Sequence, residues 1–333
     1  MRINRDTLTK IARETVANRT RSNPSIVTAY LCGSLLEEEY LLGGTADIDL
    51  VFIHLDQVTQ PREIVRVTEE VHLDIAHQPQ KEYEQPRNLR LHPWLGPTVS
   101  ACKPLYDVAH FMDFTQASVR GQFDRPDYVL ERARPQAEHA RQIWFDLQVA
   151  QPDIGVREIE LYLRAVGHAA NAVGLLSGTP LAERRFLLKF PAKAAAVRRP
   201  GLYPGLMGLL GGPNVDEPVL RSWLPAWELA FSALPRPVSL SRLHPDRKSY
   251  YLQAFHAMLR MDEPRAVLWP LLNTWNDAVG LLPAESSHQI AWREACQRLG
   301  LLGEAFTERV TAFDAYLDMV EDTLDGWAKE AGA

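Results

Sequence analysis

No stretch of the sequence is apolar over the length of a membrane span, which argues against an integral membrane protein. The first residues are polar and charged, unlike a secretory signal peptide. Cysteine is scarce as well. The three cysteines, Cys32, Cys102 and Cys296, are widely separated, odd in number and not in the spacing of a metal site. We therefore expect reduced thiols and a cytoplasmic protein.

An excess of positive charge is also absent, since 36 Lys and Arg are outnumbered by 42 Asp and Glu, giving a net charge of −6. A protein that binds extended DNA or RNA needs a basic face, so the composition argues against such a partner. The sequence has no repeat of solenoid length and no low-complexity tract. Its 333 residues are enough for two domains with separate cores.

The character of the sequence changes near Gly121. Before it, short β-branched runs alternate with helical segments, and after it strand-like runs disappear. We predict an α/β (α+β) domain with a small mixed sheet over residues 1–121 and an all-α domain over residues 122–333. Apolar residues at helical spacing from Leu8 to Val16 predict a first helix on the sheet. Later helices are predicted at residues 128–149, 156–176, 181–196, 217–234, 250–260, 268–279, 289–299 and 303–328.

Two acidic residues alternate with apolar ones in Asp47-Ile48-Asp49-Leu50. Successive side chains of a strand point to opposite faces, so the two aspartates share one face while the apolar residues point into the core. Two neighbouring carboxylates repel unless something positive lies between them. Mg²⁺ meets this need, because it takes hard oxygen ligands and shares them with substrate phosphates.

A turn, Gly33-Ser34, follows the strand-like run Ile26–Cys32 and precedes residues 35–40, which we predict to begin a helix. Glycine lets the backbone approach a phosphate, a helix N-terminus offers N–H groups, and the Ser34 hydroxyl adds a donor. A third acid, Asp74, lies in a strand-like run over residues 71–76. Beside a metal pair, it is placed to bind the second metal and to accept a proton from an attacking hydroxyl.

Taken in order, these elements resemble the DNA polymerase β-type nucleotidyltransferase superfamily, whose pattern is a Gly-Ser turn, an Asp-x-Asp strand and a later strand acid. The pattern reads Leu31-Cys32-Gly33-Ser34, then Ala46-Asp47-Ile48-Asp49-Leu50-Val51, then Leu73-Asp74-Ile75. Pro104-Leu105-Tyr106-Asp107 is similar to the strand that closes the sheet in many members. The resemblance covers residues 25–107. The alternative is that Asp47 and Asp49 cap a loop edge and that Asp74 is a solvated strand residue.

The resemblance implies an enzyme that moves a nucleoside monophosphate, AMP by preference, from an NTP to a hydroxyl and releases pyrophosphate. Two Mg²⁺ ions would be held by Asp47, Asp49 and Asp74, and Gly33-Ser34 would hold the phosphates. The helical domain would complete the acceptor and nucleotide site, as in kanamycin and streptomycin nucleotidyltransferases. A small cationic acceptor such as an aminoglycoside is favoured by the acidic chain. A protein acceptor, as in antitoxin-like members, and a nucleotide-binding regulator without chemistry are the alternatives.

Candidates in the predicted helical domain are less specific. The densest basic stretch contains Arg184, Arg185, Lys189, Lys193, Arg198 and Arg199. It offers cations for a triphosphate, with Lys189 and Lys193 preferred, and a solvated surface is the alternative. Pro191 is expected to interrupt this segment. Glu158 and Glu160 open a helix, either to assist the acceptor or as partners of the helix dipole.

Three histidines, His54, His72 and His77, lie near the acidic strands, but their spacing fits no zinc motif. His72 shares a face with Asp74, and we expect a partly buried histidine whose hydrogen bonds are satisfied. Tryptophans 223, 227, 269 and 275 lie at helical spacings and are expected in a core rather than in a base-stacking site.

Overall fold

The computed structural model describes residues 3–149, 154–238 and 240–333. It divides the chain into two compact units, Met1–Tyr128 and Val129–Ala333. The first unit contains a small mixed sheet, and the described part of the second contains helices and no strand. Among the described residues, no helix combines the length and apolar character that a membrane crossing requires.

The sheet has five strands in the order β3-β4-β2-β1-β5. The strands are β1 (Ile26–Cys32), β2 (Ala46–His54), β3 (Arg62–Arg66), β4 (Val71–Pro79) and β5 (Lys103–Asp107). Strands β2 and β4 run parallel, and the other neighbours are antiparallel. The predictions for β1, β2, β4 and β5 are confirmed, and the edge strand β3 was not predicted.

The first unit has four helices in its described residues: α1 (Arg5–Ser22), α2 (Pro86–Leu89), α3 (Leu95–Ala101) and α4 (Phe111–Arg120). As predicted, α1 is a helix whose apolar side packs on the sheet through Leu8, Ala12 and Val16. Ile48 and Leu50 of β2 lie in the same core, fully or almost fully buried. Alternation along β2 therefore sends Asp47 and Asp49 to the opposite face.

The opposite face of the sheet has a second core, which includes Tyr30, Val51, Ile53 and Tyr83. On this face, β2 carries Asp47 and Asp49 first and then the apolar residues Val51 and Ile53. The apolar half is covered by α2–α4 side chains and their connections. The two aspartates of β2 lie on the same face as this apolar core but are not part of it.

The second unit begins within the long helix α5 (Pro126–Val149). The other helices are α6 (Val156–Leu175), α7 (Phe186–Ala196), α8 (Leu202–Leu209), α9 (Glu217–Ser232), α10 (Arg247–Met258), α11 (Leu268–Gly280), α12 (Ser287–Leu299) and α13 (Glu304–Ala331). The predicted helices are confirmed to within a few residues, and α8 was not predicted. Trp227, Trp269 and Trp275 are buried in the core as expected, whereas Trp223 is half-buried.

Several helices of the second unit have a proline in their interior. Pro135 lies within α5, and Pro191 lies within α7. The prediction that Pro191 interrupts its segment is therefore wrong, since α7 continues for five residues beyond it. Proline removes one backbone donor, and a helix anchored by buried side chains such as Phe190 and Ala194 tolerates that loss.

Candidate functional site

Gly33 lies directly against one of the predicted metal ligands. Strand β1 ends at Cys32, which pairs with Asp49 of β2. Gly33 then takes a φ of +72°, the left-handed region that favours glycine. A Cβ atom on Gly33 would lie 1.9 Å from Asp49 Oδ2, so any side chain would collide with the carboxylate. The absence of a side chain here lets the turn and the acid share one small space.

The three predicted acids lie on adjacent parallel strands. Asp49 of β2 is the register partner of Asp74 of β4, and Asp47 pairs with His72 one pleat earlier. Partners in register carry side chains on the same face, so all three carboxylates lie on the face opposite α1. Asp47 and Asp74 are buried, 4% and 3% exposed, while Asp49 is half-buried. The alternative of loop caps and a solvated strand residue does not match this burial.

Asp74 is engaged by a cation that the sequence did not suggest. Arg62 of the edge strand β3 donates from Nε to Asp74 Oδ1 and from a terminal nitrogen to Oδ2, both at 2.6 Å. The side chain of Arg62 is 47% exposed and that of Asp74 is 3% exposed. This two-bond geometry is the strong form of an arginine–carboxylate pair, and it holds both oxygens of the predicted base.

His72 and Cys32 border the acids without being obvious ligands. His72 is fully buried rather than partly buried, and its Nδ1 lies 3.9 Å from Asp47 Oδ1. Burial, followed by the charge of Asp49, raises the pKa of the Cys32 thiol well above its ordinary value. Without a bound metal, the thiol is therefore protonated at neutral pH. All three cysteines are free, as expected.

The predicted helix over residues 35–40 is wrong. A short 3₁₀ segment, Gly33–Leu36, follows β1, and Glu37 is already extended, with φ −94° and ψ 163°. The Arg5 side chain donates to the backbone oxygens of Glu37 and Glu38, so these carbonyls bond outside the segment. No long helix dipole is therefore available here for a phosphate, and the candidate contacts reduce to the Gly33-Ser34 turn itself.

The donor set suits Mg²⁺, which prefers carboxylate oxygens, but Asp74 is held by Arg62. Within the described ranges, no group of three or more His, Cys, Asp or Glu side chains is arranged to hold a metal ion. The residues fit the ion if the guanidinium leaves Asp74, because the register already places this carboxylate beside Asp49. The sequence signal for Arg62 was weak, since β3 is short and has no alternating pattern.

The lysines and arginines predicted near the triphosphate lie in the second unit. Lys189 and Lys193 are half-buried on α7, and Lys193 Nζ donates to the Ser177 backbone oxygen at 3.1 Å. Arg184 and Arg185 are buried, so the solvated-surface alternative is wrong for them. Arg184 lies over the Tyr250 ring at 3.5 Å and donates to the Tyr250 carbonyl, which gives it a structural role.

Glu158 has a local role at the start of α6. Its Oε2 accepts from the Gly155 backbone N–H at 2.9 Å, which satisfies the backbone donor of the N-cap residue. This contact accounts for the acid without catalysis. Glu160 of the same turn is exposed.

Comparison with models of protein families and with curated proteins finds no match to this chain.

Proposed function

We propose that the protein is a Mg²⁺-dependent nucleotidyltransferase that moves a nucleoside monophosphate, by preference AMP, from an NTP to a hydroxyl group and releases pyrophosphate. The observation that carries the proposal is the register of Asp49 with Asp74 on two parallel strands, with Asp47 on the same face and Gly33 against Asp49. Carboxylates that converge in this way repel one another, and bound Mg²⁺ would offset that repulsion and share its coordination with a phosphate.

Each residue has a distinct role in this proposal. Asp47 and Asp49 would hold two Mg²⁺ ions, and Asp74 would complete one of the two sites. When bound, the ions neutralise developing charge and hold nucleophile and leaving group in line. Gly33 would bring backbone close to the β- and γ-phosphates, and Ser34 would add a hydroxyl donor. Asp74 would accept the proton of the attacking hydroxyl.

Arg62 makes the role of Asp74 conditional. Both carboxylate oxygens are bonded to the guanidinium, so metal ligation and proton transfer at Asp74 compete with this ion pair. Since the Arg62 side chain is half exposed on an edge strand, it has solvent to move into. The cation would therefore leave Asp74 when Mg²⁺ and nucleotide bind.

The acceptor is proposed to be a small molecule with hydroxyl groups and positive charge, such as an aminoglycoside. A net charge of −6 favours a cationic substrate over nucleic acid. One observation favours a second candidate, a nucleotide-binding regulator without chemistry. A permanent Arg62–Asp74 pair would leave the site without its base while Asp47 and Asp49 still bound metal.

Pyrophosphate release separates the two candidates. The full chain is incubated with Mg²⁺, each of the four NTPs and a panel of aminoglycosides, and pyrophosphate is measured. We expect acceptor-dependent release that falls about 10²–10⁴-fold in Asp74→Asn, the scale of a lost general base, while nucleotide binding stays within about tenfold. Asp124→Asn, which changes an exposed acid of the same unit, is the matched control.

Wild-type rates in Asp74→Asn would remove this residue from the mechanism. Nucleotide binding without release from any acceptor, in wild type and in the control alike, would favour the regulator.

A further inference from the structure

A continuous chain of polar side chains lies on the α1 face of the sheet, opposite the three acids. His54 Nε2 and His77 Nδ1 are 2.8 Å apart. His54 Nδ1 is 3.1 Å from the hydroxyl of Ser25, and His77 Nε2 is 3.1 Å from Glu63 Oε1. Glu63 is also paired with Arg19 of α1 at 3.1 Å. The proposed nucleotidyl transfer uses none of these groups.

The hydrogen bonds determine which nitrogen of each neutral ring carries the proton. A carboxylate only accepts, so His77 Nε2 carries a proton toward Glu63 and His77 Nδ1 accepts. His54 Nε2 then donates to His77, and His54 Nδ1 accepts from the Ser25 hydroxyl. One shared proton therefore lies between two imidazole nitrogens that face each other, and both outer nitrogens are held by oxygen partners.

We propose that the facing nitrogens, His54 Nε2 and His77 Nδ1, form a binding site for a borderline-soft divalent cation such as Zn²⁺, which replaces the shared proton. Imidazole suits Zn²⁺, Cu²⁺ and Ni²⁺, whereas the acid cluster on the other face suits Mg²⁺. Zinc-bound histidines characteristically donate their second ring N–H to a carboxylate or another oxygen. Glu63 and Ser25 already occupy these two positions.

The shared proton is not released when the metal binds. It moves from Nε2 to Nδ1 of His54, so the ring stays neutral and every group stays bonded. His54 would carry its proton on Nδ1 and donate to Ser25, whose hydroxyl can accept as well as donate. His77 keeps its proton toward Glu63. Zinc bonds of about 2.0–2.1 Å at a tetrahedral angle need the facing nitrogens about 3.3 Å apart. The rings would therefore separate by roughly 0.5 Å from the observed distance.

The charge state of His54 and the accessibility of His77 also suit a metal site. Burial, then the neighbouring His77, lowers the pKa of His54, so this ring is neutral at pH 7 and protons compete little with a metal. The side chain of His77 is 16% exposed. Water would complete the coordination, because the described residues bring no third His, Cys, Asp or Glu into a metal-binding group here.

Calorimetric titration of the chelator-stripped full chain with ZnCl₂, in excess Mg²⁺, tests the site. We expect one zinc equivalent, weakened at least tenfold in His54→Gln and in His77→Gln. Glu63→Gln keeps both ligands and should lower the affinity for zinc by about tenfold. Arg19→Gln removes only the outer ion pair and should bind as wild type. His139→Gln removes a histidine that contacts the ring of His168 elsewhere in the chain, and this variant should also bind zinc as wild type does.

Circular dichroism checks that each variant is folded. If a histidine variant unfolds, the zinc affinity of Glu63→Gln is compared with that of Arg19→Gln instead. Ring ¹⁵N spectra of the wild type give a second test, in which zinc should change the chemical shifts of His54 Nε2 and His77 Nδ1. The proposal would be overturned if wild type bound no zinc or if the folded variants bound it as tightly as wild type. It would also be overturned if zinc did not change the chemical shifts of these two nitrogens.

Discussion

At the scale of single residues, the substitution Gly33→Ala adds one methyl group and tests whether the close contact between Gly33 and Asp49 matters for binding. Gly33→Ala places a Cβ 1.9 Å from Asp49 Oδ2, so the carboxylate must move. We expect Mg²⁺-nucleotide binding to weaken by at least tenfold, about 1.4 kcal/mol. Ser34→Ala removes one donor and should weaken binding less. Isothermal titration of both variants measures the order.

Gly44→Ala is the matched control, because Gly44 has a similar φ of +75° and no atom within 4 Å of an added Cβ. It carries the same backbone strain without the collision. Equal losses in the two glycine variants, or a larger loss in Ser34→Ala, would mean that Gly33 does not serve the site through its contact with Asp49.

Arg62 is the residue whose removal should improve metal binding. Arg62→Gln frees Asp74 from a competing cation, so we expect Mg²⁺ or Mn²⁺ affinity to rise roughly fivefold or more, the scale of a typical coupling between ligands. The metal-free variant should melt at a lower temperature, since it leaves a buried carboxylate without its cation. Titration with Mn²⁺, followed by electron paramagnetic resonance, measures the affinity.

Arg66→Gln is the comparison, because Arg66 lies on the same strand and pairs with exposed Glu69. Removing either arginine changes the net charge equally. If Arg62→Gln binds Mn²⁺ no more tightly than Arg66→Gln, Arg62 does not compete with the metal at Asp74.

At the scale of elements, a charged cluster joins helices of the second unit. Arg242 contacts Glu183 at 3.2 Å and Asp277 of α11 at 3.0 Å, and the Tyr251 hydroxyl of α10 donates to Glu183 at 2.7 Å. Burial raises the pKa of Asp277 to about 6, even though Arg242 lowers it, and Glu183 and Glu160 raise it further. The cluster thus holds a carboxyl that titrates near neutral pH.

This shift predicts a pH dependence with a definite sign. The folded chain binds the Asp277 proton more tightly than the unfolded chain, so the contribution of Asp277 to stability decreases as pH rises from about 4 to about 6. The loss amounts to at most about 3 kcal/mol. Asp277→Asn should lack it. Urea unfolding of both proteins from about pH 4.5 to 8 measures the difference, and a pH-independent difference would contradict the assignment.

Element positions could be predicted from the sequence wherever burial gave a clean period. The alternation in β2 and the helical spacing of apolar residues from Leu8 to Val16 in α1 produced the right elements. The edge strand β3 was not predicted, because it is short and partly exposed along its length. The prediction of a helix after Gly33 was wrong, because the carbonyls of Glu37 and Glu38 accept hydrogen bonds from Arg5 of α1, which is far away in the sequence.

The sequence predicted the individual residues of the candidate site but not the contacts between them. The faces of Asp47 and Asp49 follow from the pleat, but the register of Asp49 with Asp74 depends on how two strands pair. The Arg62–Asp74 and His54–His77 contacts require the order β3-β4-β2, which no local pattern encodes. Topology therefore supplied what spacing could not.

At the scale of the whole molecule, the central claim is that the acids form a metal and nucleotide site. Asp47 is almost fully buried on the face that it shares with Asp49 and with Asp74, which is paired with Arg62, so without metal the repulsion of Asp47 by the other acids costs stability. If metal and nucleotide bind the folded chain as proposed, a hundredfold excess over the dissociation constant adds about 2.7 kcal/mol of stability. Asp47→Asn both relieves repulsion and removes a ligand.

Thermal melting of wild type and Asp47→Asn, with and without Mg²⁺ and each of the four NTPs, tests this claim most directly, because it needs no acceptor. We predict that Asp47→Asn melts at or above the wild-type temperature without metal and loses most of the rise that wild type shows with Mg²⁺ and its preferred NTP. Asp124→Asn should keep that rise. No rise in wild type with any NTP, together with strong destabilisation by Asp47→Asn alone, would show that the acids are structural and would contradict the nucleotidyltransferase proposal.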